Sequence, residues 1–533
     1  MTNTLQPKPD GPGNHAPFSV VEATVASAHA AMRDGRLTAR QLVRGYLERI
    51  SAYDQSGPAL RSILRLNSQA LADAGRIDDM AGRDPARALR PLHGIPVLIK
   101  DNLECGGIET TAGASCLSGN MSADDAFIVR RLREAGAIVL AKTNLHELAS
   151  GGETVSTLSG QTLNPYDLTR TPGGSSGGTG AAIAASFGLL GIGTDGVNSI
   201  RSPASANNLV GLRPTMGLVS RAGLMPCGLT QDTIGPITRT VADTAVLLDV
   251  IAGYDPADPV TSQGEPHIPA SYTGCLDPDG LKGARIGVLR HFFGNGDAHR
   301  PVNAVMQAAL AIVAAQGAEL IAIDDAINPE ELLASTLVHH YEMERDLDAY
   351  LARLASGVRV RSTKDIIAAG TVHPSVAGTL TTAVALSGRA EEYRERLQRQ
   401  QALRMRLQDL MARHRLDALA FPHQRRLVVP VGETQAERNG VLASATGFPA
   451  IVIPAGFSAP DRNAPRGVPV GLELFGRPFS ETVLIRLAYA AEQALRARRP
   501  PYSTPALELG GTIFHCCSTT PAGHGGDKFA ETP

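Results

Sequence analysis

The chain has no tryptophan in 533 residues but carries 55 glycines. That balance suits a loop-rich α/β protein better than a helical bundle. Long hydrophobic runs are also missing: the longest apolar stretches are short or broken by glycine, so no membrane-spanning helix is expected. Neither sign of charge dominates. Fifty basic residues face 52 acidic ones, for a formal net charge of −2, which gives no reason to expect nucleic acid or an anionic membrane as a partner. Cysteine is sparse, and Cys105, Cys116, Cys227, Cys275, Cys516 and Cys517 form no Cys-x-x-Cys pair and no metal-ligand spacing. Free thiols in a reducing compartment are therefore expected, with no metal and no cofactor. Residues 1–17 have neither an apolar core nor an amphipathic arginine-rich pattern. They read as a disordered leader, 507–533 as a disordered tail, and the expected location is the cytoplasm.

Hydrophobic residues make up 43% of the chain, enough for a large core. Residues 18–52 read as two amphipathic helices, the first closed by Gly35 and the second capped by Thr38. "GIPVLIKDN" (Gly94–Asn102) is a β-rich run ending in a lysine; "DAFIVRRLR" is helical and "EAGAIVLAKTN" reads as the next strand. The small-residue helix "TGAAIAASFG" leads into the strand "LLGIGTDG". This alternation predicts an α/β fold with a largely buried sheet. From about 258 to 430 the texture changes to long charged helices, with one strand in "ARIGVLR", and this region reads as a helical elaboration over the core. Strands return in "DALAFP", "FPAIVIPAGF" and "PVGLELFG", before a final helix "ETVLIRLAYAAEQALRA". The organisation expected is one domain over 18–506.

Two glycine-rich segments invite familiar readings that fail. Gly191 to Gly196 satisfies G-x-G-x-x-G, but a dinucleotide site needs a following helix and an acid about 20 residues on. No Asp or Glu occurs between Asp195 and Asp232, and "VNSIRSPASANN" makes a poor helix start. "GGSSGG" (Gly173–Gly178) satisfies G-x-S-x-G, yet a nucleophile elbow needs a strand before it. The preceding "NPYDLTRTP" is a turn-rich loop, and His423, the imaginable base, is a lone histidine near a strand end. A P-loop fails because no Gly-Lys-Ser/Thr follows. Lys100 at the end of an apolar strand is unusual, since a buried ammonium is costly unless paired or neutral. The plain alternative is a lysine that emerges there and pairs with Asp101.

Taken together, "HGIPVLIKDN", "NPYDLTRTPGGSSGGTGAAIAA", "GIGTDGVNSIRSPAS" and "GLRPTMGLVSRAG" resemble the amidase signature family of serine hydrolases. The likeness runs from about 20 to 255 and resumes at "GFPAIVIPAGF" and "PVGLELFGRPFSE"; Ser175 and Ser199 stand 24 residues apart, as that family's two serines do. The resemblance implies a large mixed, mostly buried β-sheet flanked by helices on both faces. It also implies Ser199 as acyl-forming nucleophile, Ser175 as bridging serine beside a cis peptide bond, and Lys100 as terminal base. Ser176, Asp195 and Arg201 match positions that brace the loop, while Ser202 and Ser205 match no catalytic position and read as capping or turn residues. The chemistry is coherent: a lysine serves as base only if desolvation lowers its pKa, and a bridging hydroxyl both donates and accepts.

The chain departs from the family where the oxyanion is received. Two glycines commonly precede the nucleophile; here Val197 and Asn198 do, with Gly196 before them. Backbone N–H donors need suitable dihedrals rather than glycine itself, and a β-branched residue at positive φ is an outlier. Val197 is therefore expected at negative φ, any left-handed position falling at Asn198 or Gly196, with both new side chains lining or flanking the site. The activity implied is hydrolysis of a small-molecule amide, anilide or carbamate, and of related esters, by a monomer or homodimer. No cluster of arginines marks an anion site, which favours a neutral substrate. The alternative is the glutaminase subunit of a tRNA-dependent amidotransferase; a non-catalytic scaffold would have no use for Lys100, Ser175 and Ser199 together. His339, His340 and Tyr341 in the helical middle either cover the pocket or are ordinary helix surface.

Overall fold

The computed structural model describes residues 18–83, 90–354 and 357–507. The leader at 1–17, the tail beyond Leu507, and Cys516 and Cys517 lie outside the described residues. The first two helices form where side chains can cap them. Thr24 accepts from Ser27 N–H and starts Val25–Arg33, and Thr38 accepts from Gln41 N–H and starts Ala39–Tyr53. Both are capping boxes. The first helix begins at Val25, because Thr24 supplies the cap and Val20–Ala23 lie outside it. Gly35, at φ +67°, makes the turn between them.

Among the described residues thirteen strands follow: β1 (Ile63–Leu66), β2 (Pro96–Lys100), β3 (Ile138–Thr143), β4 (Val155–Ser156), β5 (Gly160–Gln161), β6 (Leu190–Asp195), β7 (Val210–Arg213), β8 (Thr233–Thr238), β9 (Arg285–Leu289), β10 (Glu319–Ile323), β11 (Ala418–Pro422), β12 (Ala450–Phe457) and β13 (Pro469–Phe475). β4 and β5 form a small hairpin; the rest form one 11-stranded sheet ordered β1-β3-β2-β6-β8-β7-β12-β13-β11-β9-β10. It is mixed: β2 lies parallel to β3 and β6, whereas β8 runs antiparallel to both β6 and β7. Every residue of β2, β3, β6 and β8 is buried. Successive side chains point to opposite faces, so both faces of the central sheet are covered.

The small-residue helix Gly177–Ala184 packs on β6 and β2, which sets the turn before it above the ends of those strands. In the middle of the chain the helical run spans Pro329–Arg413, while β9 and β10 before it extend the same sheet. Met343, Leu347 and Leu380 of that run share a core with Leu117, Leu145 and Met225, so the helices press on the loops around the strand ends. Among the described residues, Cys105, Cys116, Cys227 and Cys275 are free thiols. No helix among the described residues is long and apolar enough to cross a membrane.

Candidate active site

β2 ends in Lys100, which is fully buried. Its Nζ lies 2.8 Å from Ser175 Oγ and donates to Thr194 Oγ1 at 2.7 Å. Asn102 Nδ2 also donates to Thr194 Oγ1. Asp101, the plain partner for Lys100, instead pairs with Lys142 of β3 at 3.0 Å. Burial lowers the Lys100 pKa to about 7, against the opposing pull of Asp232 and Asp195. A neutral amine with hydrogens given to Thr194 turns its lone pair on the Ser175 hydroxyl. The Gly174–Ser175 peptide bond is cis. Packing there leaves no space for side chains: a Cβ on Gly174 would lie 2.8 Å from the Gly152 carbonyl carbon, and one on Gly178 2.1 Å from Asn144 O.

Ser199 lies beyond the end of β6, with Ser175, in the wall of a cavity of about 480 Å³. The residues before it are held by their carbonyls. Arg213 Nη1 donates to Asp195 O, Ser444 Oγ to Gly196 O at 2.6 Å, Arg201 Nη2 to Val197 O at 2.7 Å, and Ser202 N–H to Asn198 O at 2.7 Å. In a trans peptide the N–H points opposite to the C=O. The N–H groups of Gly196, Val197, Asn198 and Ser199 have no hydrogen-bond partner among the described residues, and all four residues line the cavity. A run of free N–H groups at a cavity wall has the chemistry to receive an anion.

Val197 has negative φ, as expected; neither Asn198 nor Gly196 is left-handed either. Gly196 is required for space instead: a Cβ there would meet Asp232 Oδ1 at 2.7 Å. Both new side-chain positions line the cavity, and Asn198 has a structural use, its Oδ1 accepting Gly440 N–H at 3.1 Å. A Cβ on Gly440 would lie 2.2 Å from that oxygen, so glycine there lets the Asn198 side chain make this contact.

Below the loop lies a buried charge network. Asp195 accepts from Arg201 Nε at 3.1 Å, Arg213 Nη1 at 2.9 Å and Ile200 N–H at 3.1 Å. Glu473 of β13 binds Arg201 Nη1 at 2.6 Å and His423 Nδ1 at 2.6 Å. Burial opposes ionisation of both carboxyls, but the arginines hold Asp195 well below the usual range and Arg201 with His423 lowers Glu473. Burial lowers the His423 pKa against the opposing pull of Glu473. His423 thus serves this network and does not line the cavity. Ser176 braces the strand end, its Oγ donating to Thr194 O at 3.1 Å. Ser205 Oγ accepts from Gly471 N–H at 3.0 Å, but the buried Ser202 hydroxyl has no hydrogen-bond partner among the described residues, so its capping reading fails.

"VNSIRSPASANN" does open a short helix, Arg201–Ala206, contrary to expectation. Asp195 takes the Ile200 N–H at its start, so the chain's own carboxylate fills the place a pyrophosphate would need. The helical middle reaches the cavity through Leu333, Leu337, His339, His340 and Thr379. Tyr341 does not line it and donates to Glu392 at 3.0 Å. Burial lowers the His339 pKa to about 3 and also lowers His340, so both imidazoles are neutral. Sequence reasoning missed Thr194 and Asp232. Asp232 accepts Cys227 and Gly228 N–H groups on Oδ2, and burial raises its pKa to about 6 despite them. Thr194 adjoins Asp195 in a quoted motif; nothing local marks Asp232. Among the described residues no group of three or more His, Cys, Asp or Glu is placed to hold a metal.

The amidase family model matches residues 41–485. The chain belongs to the amidase family. It is 36% identical to a probable amidase of Arabidopsis thaliana, over 91% of this chain and 92% of that protein. It is 34% identical to a glutamyl-tRNA(Gln) amidotransferase subunit of Chloroflexus aggregans, over 90% and 98% respectively. Among solved structures, native peptide amidase from Stenotrophomonas maltophilia superposes with a TM-score of 0.82 at 36% identity, covering 92% of this chain and all of that one.

Proposed function

We propose that this protein is a serine amidohydrolase that cleaves linear small-molecule amides through an acyl-enzyme on Ser199. The substrate class comprises carboxamides, anilides and carbamates (urethanes), with related esters. The observation that carries this reading is the 2.8 Å contact between Ser175 and a fully buried Lys100 whose pKa is near 7. Neutral Lys100 accepts the Ser175 proton as Ser175 accepts that of Ser199, and Ser199 Oγ attacks the carbonyl carbon. The developing oxyanion meets the free N–H groups of Gly196, Val197 and Asn198, joined by that of Ser199 itself. Collapse returns the proton through Ser175 to the departing nitrogen. Water, activated by the same relay, then releases the acid. Ser176, Asp195 and Arg201 hold the loop in place. We place the enzyme in the cytoplasm, working as a monomer or homodimer.

The test is turnover of a primary amide, an anilide, an aryl carbamate and a p-nitrophenyl ester by wild type and Ser199→Ala. Loss of turnover, with a fluorophosphonate mass shift on the Ser199 peptide of wild type, supports the reading; unchanged turnover in Ser199→Ala rejects it. Lys100→Ala should impair amides more than esters, because an alkoxide leaves without the proton an amine needs. The similarity to the Chloroflexus amidotransferase component favours a second reading, a glutaminase working within a complex. Glutamine hydrolysis that appears only on adding the other components of such a complex would select it.

A further inference from the structure

The cavity carries a charge that acyl transfer does not use. Arg438 lines it, half-buried, and its guanidinium makes no hydrogen bond or ion pair with any described residue. The fully buried arginines behave differently: Arg49, Arg201, Arg213 and Arg239 all direct donors to carbonyls or carboxylates. Gly152 leaves room for the Arg438 guanidinium. A Cβ on Gly152 would lie 2.1 Å from its Nη1, and Gly152 in turn abuts Gly174 beside Ser175. Two residues further on, Gly440 fits against Val197 O and Asn198 Oδ1. The guanidinium thus lies against Gly152, next to the loop that carries Ser175.

Among the described residues no carboxylate forms an ion pair with it, although Glu153 and Asp195 act on it at longer range. Glu153 is near enough to be felt, but its oxygens take Gln435 N–H at 3.0 Å and Gly152 N–H at 3.0 Å, with His146 Nδ1 at 3.3 Å. Glu437 pairs with His299 at 3.1 Å. Asp232 Oδ2 holds two backbone N–H groups, and the cavity histidines are neutral. Arg438 is the only cationic side chain lining this cavity among the described residues. A guanidinium offers a planar fork of donors matched to a carboxylate, and its half-buried place in the cavity wall strengthens that match.

We propose that the preferred substrate is an amide bearing a carboxylate, which Arg438 receives; this rests on the amide-hydrolysis reading. A neutral substrate followed from the lack of an arginine cluster, but folding supplies a lone unpaired arginine instead. The carboxylate belongs either to the acyl part or to the departing amine. Two pairs of compounds separate these sources: succinamate against butyramide, and 4-acetamidobenzoate against acetanilide. In one pair, wild-type kcat/KM for the charged member should exceed that for its neutral counterpart by about tenfold to a hundredfold. Arg438→Gln should collapse that ratio, and Arg438→Lys should keep part of it, having charge without the fork. Ratios near one in both pairs, or a preference that survives Arg438→Gln, would overturn the proposal. Calorimetric titration of Ser199→Ala with the same four compounds decides it without turnover: tighter binding of a carboxylate member supports it, equal binding refutes it. Absence of all amide turnover in wild type would strike the amidohydrolase reading, while the titration still rules on Arg438.

Discussion

Replacing Lys100 by methionine should abolish amide hydrolysis and yet stabilise the protein, in a pH-dependent way that reports the lysine's protonation. The folded pKa is about 7 against an ordinary 10.5. Between those values the unfolded chain binds a proton that the folded chain does not. Wild-type stability is therefore lost as pH falls from about 10.5 towards 7, and the loss ends below about 7, where both states are protonated. At ~1.4 kcal/mol per pH unit the whole displacement is on the order of 5 kcal/mol, about 2 of it incurred by pH ~9 and about 4 by pH ~7.5. Methionine escapes this but forfeits the contacts with Ser175 and Thr194, roughly 1 kcal/mol each and independent of pH. The stability difference, Lys100→Met minus wild type, should accordingly grow by about 2 kcal/mol from pH ~9 to ~7.5. Urea denaturation of both proteins across this range measures it. A difference flat with pH would mean that Lys100 titrates normally, and the relay would lose its base.

The same ionisation shapes activity: kcat/KM for an amide should fall about tenfold per pH unit below ~7 and level off above it. Asp232→Asn removes the main charge holding the Lys100 pKa up, so the acid limb should move to lower pH; an unmoved limb would show that the two groups do not communicate. Asn198→Ala leaves the Gly440 N–H without its acceptor, and should cost about 1–3 kcal/mol in stability and lower kcat more than it raises KM, as steady-state kinetics would show. Arg201→Met leaves buried Asp195 with Arg213 alone and buried Glu473 with His423 alone. A loss of about 3–5 kcal/mol in denaturation midpoint measurements is expected, and a change under about 1 kcal/mol would show that the network does not support the loop.

The local parts of the site were legible because they are local. Lys100 stands at the end of five consecutive buried strand residues, and the spacing of Ser175 and Ser199 survives in the sequence untouched by folding. The elements around them followed from period and caps, as Thr38 and Gly35 show. What sequence could not show are contacts made by sheet order. β7 lies beside β12, and β12 beside β13, which carries Glu473 to Arg201 and Ser444 to Gly196 across some 250 residues of chain. The plain pairing of Lys100 with Asp101 failed for a related reason: Lys142, on the neighbouring parallel strand, claims that carboxylate. Arg438 carried no local mark at all, because an arginine becomes notable only when its surroundings leave it unanswered.

The clamp on the Ser199 loop has a consequence for the order of events in synthesis. Lys100, Ser175 and Ser199 all lie in the first two-fifths of the chain, but Gly440, Ser444 and Glu473, which hold Asn198 Oδ1, Gly196 O and the Arg201 guanidinium around Ser199, are made much later. Contacts so distant in sequence close late in folding. A nascent or truncated chain ending before β11 would possess every reacting group and no means of aiming them. It should ignore a fluorophosphonate that labels the finished protein, so that reactivity is withheld until the last strands are in place.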